Sequence, residues 1–122
     1  MLRATLTAPA IFGFTGVTCG AFGAHYLRSR LSEDGTRAWN TAVTYQLLHA
    51  VAMLGIVALR QQAASEARKA RLDTAFGLML VGVIGFSGSI YGLVLGGPKL
   101  LGPVTPLGGL LMMAGWAVVG IA

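Results

Sequence analysis

Charged side chains divide this sequence into four long apolar segments. Nine basic and four acidic residues fall in four places: Arg3, Arg28 to Arg37, Arg60 to Asp73, and Lys99. The charge-free segments between them run over residues 4–27, 38–59, 74–98 and 100–122. Because about 20 apolar residues cross the hydrocarbon core of a bilayer as a helix, the pattern predicts an all-α, integral membrane four-helix bundle. We expect one domain over residues 1–122, with spans at approximately 5–27, 39–59, 74–96 and 106–122.

The loops between these spans are short, and short connections place consecutive helices antiparallel. The expected topology is therefore up-down-up-down. Thr105 followed by Pro106 has the pattern of a helix start, with a capping hydroxyl and a proline in the first turn. Five basic residues lie at the N-terminus and in the second loop, against four in the first and third loops. This small excess predicts that both ends of the chain face the cytoplasm or the mitochondrial matrix.

Composition supports a membrane location. Hydrophobic residues make up 55% of the chain and charged residues 11%, whereas soluble domains contain about 25% charged residues. The net charge of +5 comes from basic residues that flank the spans, so we expect contact with lipid headgroups, including anionic ones, and no nucleic acid partner.

The apolar start of the sequence resembles a secretory signal peptide, but three further spans of similar length favour an uncleaved first span.

A glycine pattern occurs twice. The segment "GFTGVTCG" at residues 13–20 matches "GFSGSIYG" at residues 85–92, which leaves open either two parallel two-helix repeats or a chance match. In lipid, helices associate through close backbone contact, and small residues permit that contact. Small residues four apart predict one packing face on span one and one on span three: Gly16, Gly20 and Ala24, then Gly88, Gly92 and Gly96. A hinge or a close approach to a ligand is the alternative for these glycines.

The second span carries polar side chains on one helical face. Tyr45 and His49 are four residues apart, and Gln46 borders them. Buried histidine and glutamine are costly in hydrocarbon unless they are paired, so we expect Gln46 and His49 to face the bundle interior. Two interpretations stay open: a satisfied hydrogen-bond network between helices, and a ligand or proton site. The candidate residues for either are His49, Gln46, Tyr45, His25, Ser87 and Tyr91, of which His25 is also an expected interfacial anchor.

The sequence offers little for enzyme chemistry. The acidic residues lie in loops or at span ends, and no pairing of a nucleophile with a base is apparent. Two histidines and one cysteine are too few for a tetrahedral metal site. We therefore expect no enzyme activity, no catalytic residues, no metal and no cofactor.

Several motifs, in order along the chain, resemble a family of small four-span membrane proteins. They are "GAFGAH", "WNTAVTYQLLHA", "FSGSIY", "TPLGG" and "GW", and the family is domain of unknown function 423, related to transmembrane protein 256. The resemblance implies four spans and a bacterial inner (plasma) membrane, with the mitochondrial inner membrane as the alternative. It brings no established activity, substrate or cofactor. The positions that match are Gly20, Gly23, His25, Trp39, Tyr45, Gln46, His49, Ser87, Tyr91, Thr105, Pro106 and Trp116.

Two functional hypotheses follow. The first is a structural or interaction protein whose helices dock other transmembrane helices, as a homo-oligomer or as an accessory subunit of a larger membrane complex, for example a respiratory one. The second is a membrane protein that handles a small molecule, a lipid or protons at a polar site on span two.

Overall fold

The computed structural model describes residues 3–122, and this part of the chain is mostly helical, without β-strands. The four long helices are α1 (Thr7–His25), α2 (Glu33–Gln61), α3 (Glu66–Val94) and α4 (Val104–Ile121), and a short 3-10 turn at Lys99–Leu101 precedes α4. The predicted all-α fold is confirmed.

Helices α2 and α3 begin at capped, acidic N-termini. The Ser32 hydroxyl accepts a hydrogen bond from the Gly35 N–H at 3.0 Å, and the Ser65 hydroxyl accepts one from the Arg68 N–H at 3.1 Å. Acidic residues occupy the first turn of both helices, where they compensate the positive end of the helix dipole. These two starts therefore follow directly from local sequence.

Helix α3 ends where glycine permits a left-handed residue. Gly96 has φ of 87°, a conformation that L side chains adopt with strain. The N–H of Gly96 donates to the Leu93 carbonyl at 3.1 Å, and that of Gly97 donates to the Gly92 carbonyl at 2.7 Å. These paired bonds satisfy the last carbonyls of α3 and stop the helix.

The start of α4 differs from the prediction. The helix begins at Val104, one residue before Thr105, and no side chain caps it. The Thr105 hydroxyl instead hydrogen-bonds to the Ser89 hydroxyl of α3. The residue with the capping pattern is thus used to join two helices.

Consecutive helices pack against one another: α1 on α2, α2 on α3, and most extensively α3 on α4. Within residues 3–122, three segments are long and apolar enough to cross a membrane, namely α2, α3 and Lys99–Ile121. At about 1.5 Å per residue, the 29-residue helices α2 and α3 reach about 43 Å, which exceeds a hydrocarbon core of about 30 Å. Helix α1 has 19 residues and is not among these three segments, so a fourth crossing stays a prediction.

The glycines of α1 lie against α2. A methyl group added to Gly16 would come within 2.6 Å of the Leu47 side chain, and one added to Gly20 would touch Val43 at 3.4 Å. Ala24, the third residue of the predicted packing face, is exposed. The small residues of α1 therefore admit side chains of α2 along part of the predicted face.

On α3 the predicted packing face is wrong for Gly88 and Gly96. An added methyl group at Gly88 would meet no atom within 4 Å, and Gly96 lies beyond the helix end. Gly92 faces the Leu101 side chain of the 3-10 turn, with a contact of 2.6 Å from an added methyl group. The difference comes from the orientation of α3 about its own axis. Gly82 faces α4, and Gly88 lies about 120° around the helix from Gly82.

The closest helix approach joins α3 to α4 and was not predicted. A methyl group added to Gly108 would lie 2.8 Å from the Gly82 carbonyl oxygen and would also collide with the backbone nitrogen of Phe86. A methyl group added to Gly82 would lie 2.9 Å from the Gly108 oxygen. Backbone therefore touches backbone here, which is the packing device expected of helices in lipid.

Candidate functional site

A polar layer crosses the bundle between two apolar clusters. One cluster is built around Met53, Phe76 and Met79, and the other around Leu27 and Trp39. Between them lie buried polar side chains, with exposed fractions of 5% for Gln46, 3% for His49, 1% for Ser87 and 4% for Ser89. Because buried polar groups are costly without partners, their hydrogen bonds determine what the layer can do.

Gln46 of α2 joins three helices. Its amide nitrogen donates to the Phe12 carbonyl at 2.9 Å and to the Thr15 hydroxyl at 2.7 Å, both on α1. Its amide oxygen accepts a hydrogen bond from the Tyr91 hydroxyl of α3 at 2.7 Å. The side chain thus uses both ends of its amide to hold α1 and α3 against α2.

His49 joins α2 to α4, and its two bonds define its tautomer. The indole N–H of Trp116 lies 3.0 Å from Nε2, and the Tyr45 carbonyl oxygen lies 2.8 Å from Nδ1. An indole nitrogen only donates and a carbonyl only accepts. Nε2 is therefore the acceptor and Nδ1 carries the hydrogen, which describes a neutral imidazole with both nitrogens engaged.

Two serines and a tryptophan complete the links between helices. The Ser87 hydroxyl donates to the Ala42 carbonyl at 2.7 Å, which joins α3 to α2. The Trp39 indole donates to the Cys19 carbonyl at 2.9 Å, and its ring lies 4.7 Å from the Tyr91 ring. Every adjacent helix pair is therefore crossed by at least one of these bonds or by the Ser89–Thr105 pair.

An apolar groove opens beside the polar layer, between α2 and α4. Its volume is about 550 Å³, within the range of small-molecule sites. Tyr45, His49, Phe86 and Trp116 supply rings to its walls, and Leu110 and Met113 are among its aliphatic lining residues. The Tyr45 and Phe86 ring centres are 4.9 Å apart. The Tyr45 hydroxyl forms no hydrogen bond with residues 3–122, so it is the polar group that the groove could offer to a ligand.

A buried ion pair at the other end of α2 was not predicted. Asp73 Oδ1 accepts hydrogen bonds from Arg60 Nε at 2.7 Å and from the Ala4 N–H at 2.8 Å. The Asp73 side chain is 8% exposed and that of Arg60 is 16% exposed. This carboxylate ties the segment before α1 to the end of α2 and the start of α3. The feature of the sequence that pointed to this ion pair is that Asp73 is an acidic residue within a cluster of arginines and lysines.

The structure brings together four of the six predicted polar candidates. Gln46, His49, Ser87 and Tyr91 all contribute hydrogen bonds to the polar layer. Tyr45 lies apart from the layer, because it is 41% exposed in the groove. His25 is also separate, since it lies exposed at the end of α1. Trp116 was missed as a partner of His49.

Few side chains in residues 3–122 are placed to bind a metal ion. Within residues 3–122, no three His, Cys, Asp or Glu side chains are placed to hold a metal ion. The buried nitrogens and oxygens of the polar layer are paired with each other or with backbone. As described, the layer is an arrangement of mutual hydrogen bonds, and the groove beside it is the place where a further molecule could enter.

Comparison with known proteins supports the resemblance seen in the sequence. Residues 19–109 match the family described as "Protein of unknown function (DUF423)". A UPF0382 membrane protein of Staphylococcus aureus (strain bovine RF122 / ET3-1) is 39% identical over 113 residues, which cover 93% of this chain and 88% of the relative. The UPF0382 membrane protein YwdK of Bacillus subtilis is 33% identical over 113 residues, covering 93% and 89%.

The similarity extends to a eukaryote. A UPF0382 membrane protein of Schizosaccharomyces pombe is 34% identical over 124 residues, with 90% of this chain and 92% of the relative covered. None of the solved structures matches the chain. The relatives are named membrane proteins, and the helices here have the length and composition to cross a membrane. The chain belongs to the DUF423 family of membrane proteins.

Proposed function

We propose that this protein is a non-enzymatic, four-span protein of the bacterial inner membrane that serves as a structural or interaction partner for other transmembrane helices. It would act as a homo-oligomer or as an accessory subunit of a larger membrane complex, such as a respiratory one. The observation that carries this proposal is that the polar side-chain atoms inside the bundle have hydrogen-bond partners within the protein. Within residues 3–122, every buried side-chain nitrogen or oxygen except Arg68 Nε has a hydrogen-bond partner.

These hydrogen bonds favour a structural role for the polar layer over a catalytic one. A catalytic or proton-carrying histidine needs a ring nitrogen that can reach a substrate or water. Both nitrogens of His49 are engaged by Tyr45 and Trp116, and both ends of the Gln46 amide bind neighbouring helices. The polar atoms thus hold the bundle together, which supports a scaffold.

The outer faces supply the surfaces for other helices. On α1, Phe14 is 77% exposed and Val17 is 64% exposed; on α4, Leu107 and Met113 are 60% and 67% exposed. In a bilayer such side chains contact either lipid or protein, and association of helices rests on packing and hydrogen bonds. Faces on both outer helices are therefore available without disturbing the polar layer.

The test is the size of the native particle. The protein, tagged and expressed from its own promoter, is extracted from membranes in mild detergent and resolved by native gel electrophoresis and mass photometry. We expect a defined multimer or co-migration with a larger complex. A Phe14→Ser/Val17→Ser variant, with a Gly13→Ser control on the same helix, should lose this assembly if α1 carries the interface. A particle with the mass of one chain under every extraction condition would contradict the proposal.

A second candidate function rests on the groove between α2 and α4. Its volume of about 550 Å³ and its aromatic walls suit an apolar ligand, either a lipid chain or a small molecule. A Gly109→Leu change would fill the groove, because a methyl group added there lies at an ordinary 3.7 Å from Phe86. Native mass spectrometry should then show less co-purifying ligand than in a Gly13→Leu control, where an added methyl group meets nothing within 4 Å. Equal ligand content in both variants would argue against this function.

A further inference from the structure

A second cavity lies where the segment before α1 meets the C-terminal end of α2. Its volume is about 320 Å³, which is small for an organic ligand but sufficient for a group of the size of a phosphate. Arg3, Thr5, Arg60 and Gln61 provide its polar walls, alongside apolar atoms that include Val57. Cationic and hydrogen-bonding side chains therefore meet in one small space.

Asp73 binds only one of the nitrogens of the Arg60 guanidinium. Its Nε donates to Asp73 Oδ1 at 2.7 Å, and the same oxygen accepts the Ala4 N–H at 2.8 Å. The two terminal nitrogens of the guanidinium form no hydrogen bond with residues 3–122. They are not among the buried unpaired atoms, so the 16% of the side chain that is exposed includes them. A guanidinium carries five N–H donors in a planar fork that suits two oxygens of one anion. The outer edge of this fork lacks an acceptor, and Arg60 lines the cavity.

The cavity also carries an excess of positive charge. Two cations line it, Arg3 and Arg60, and the single carboxylate beside them, Asp73, compensates one of them. Arg3 is exposed and forms no ion pair within residues 3–122. An anion that bridges the two guanidinium groups would satisfy both the charge and the unused donors.

The position of the cavity indicates where this anion comes from. Helix α1 begins at Thr7 and α2 ends at Gln61, so the cavity lies at the ends of apolar helices, at the level where headgroups meet a membrane protein. Three more cations lie at the same end of the bundle, at Arg68, Lys69 and Arg71 in the first turns of α3. Clusters of basic residues at the ends of membrane spans attract anionic lipids.

We propose that this cavity binds one phosphate group, supplied by the headgroup of an anionic phospholipid. The phosphate oxygens accept hydrogen bonds from the terminal nitrogens of Arg60 and from Arg3, and Thr5 and Gln61 can add further donors. The acyl chains lie outside the cavity, along the apolar helices. A zwitterionic headgroup fits less well, because its ammonium group would be repelled by the net positive charge of the site.

The first experiment compares matched arginine variants. Full-length protein in mild detergent is titrated with phosphatidylglycerol or phosphatidylcholine and examined by native mass spectrometry. We expect preferential binding of phosphatidylglycerol and a decrease of about fivefold in its affinity in Arg3→Gln, as expected for the loss of one basic side chain at an anionic surface. Arg28→Gln removes the same charge from an exposed position in the first loop and should bind like the unmodified protein. Equal losses in both variants, or none in Arg3→Gln, would overturn the proposal.

A second variant tests the guanidinium fork. Arg60→Lys keeps a cation near Asp73 but removes the planar donor edge, so the affinity for phosphatidylglycerol should fall by a similar factor. Since Arg60 belongs to a buried ion pair, the thermal midpoint of this variant is measured as well, and Arg3→Gln decides the question if Arg60→Lys is unstable. Inorganic phosphate at millimolar concentration should leave the phosphatidylglycerol complex intact. If it displaces the lipid completely, the site takes free phosphate and the lipid assignment is wrong.

Discussion

The contact between α3 and α4 makes a sharp prediction for Gly108→Ala. The added methyl group would lie 2.8 Å from the carbonyl oxygen of Gly82 and 2.8 Å from the carbonyl carbon of Gly85, and it would also collide with the Phe86 nitrogen. All three atoms belong to the backbone of α3, so none can rotate away. For the 2.8 Å contacts to reach an ordinary 3.4 Å, the two helices must move apart locally.

The energetic effect follows from that separation. A radial gap of about 0.5–1 Å removes about a quarter to a half of the dispersion energy of the atoms that it separates. Overpacking of a well-packed contact costs about 1–3 kcal/mol, and the better helix propensity of alanine returns at most about 1 kcal/mol. Because three backbone atoms are overpacked at once, we expect a cost near the upper end of this range, and Gly108→Ala should lower the free energy of unfolding by about 2 kcal/mol after the return from propensity.

The neighbouring glycine is the matched control. A methyl group added to Gly109 would contact Phe86 Cδ1 at 3.7 Å, so Gly109→Ala should leave stability unchanged or raise it by up to about 1 kcal/mol. Thermal unfolding in one mild detergent, followed by the loss of monodisperse protein, compares both variants with the unmodified chain. If Gly108→Ala and Gly109→Ala unfolded at the same temperature, α3 and α4 would not approach as closely as described.

Three further changes test the hydrogen bonds of the interior by the same unfolding assay. Gln46→Leu should lower stability by about 1–3 kcal/mol, because it removes the bonds to α1 and leaves the Tyr91 hydroxyl without its acceptor; the double variant Gln46→Leu/Tyr91→Phe should then lose less than the sum of the single changes, and strict additivity would refute the pairing. Trp116→Phe keeps an aromatic ring, although a smaller one, and removes the donor to His49, so it should lower stability by about 0.5–1.5 kcal/mol, whereas an unchanged midpoint would show that the bond contributes nothing. Asp73→Ala leaves Arg60 without its carboxylate and should lower stability by about 3 kcal/mol; a neutral effect would mean that the pair is solvated.

The sequence predicted the helices and much of the polar layer because both depend on patterns that have the same meaning in a lipid environment as in water. Charge clusters mark where the apolar stretches end, although α2 and α3 continue as helices into these clusters. A glutamine and a histidine within an apolar span must find partners. Gln46 and His49 are accordingly buried, and Gln46 binds Tyr91, which was among the candidate residues.

The orientation of each helix could not be predicted in the same way. In a soluble protein a polar stripe marks the outer face, but in this chain the outer faces are apolar as well. Phe14 is 77% exposed and Phe76 is 1% exposed, although both occupy apolar helices. For this reason the glycine spacing on α3 indicated Gly88 while the structure uses Gly82, and no pattern connected Trp116 to His49.

The two outer helices are held by different kinds of interaction, and this explains where the bundle is open. Helix α1 is fixed by directed hydrogen bonds, from Gln46 to Phe12 and from Trp39 to Cys19. Helix α4 is fixed mainly by close backbone approach to α3 at its glycines, and it touches α2 through the Trp116–His49 hydrogen bond. The groove of about 550 Å³ lies between α2 and α4, and both residues of that bond line it. A lipid chain or partner helix that entered the groove would therefore press on the hydrogen bond that joins α2 to α4. Trp116→Phe should consequently change occupancy of the groove more than Gln46→Leu does, even where the two variants lose similar stability, because only Trp116 belongs to the groove wall.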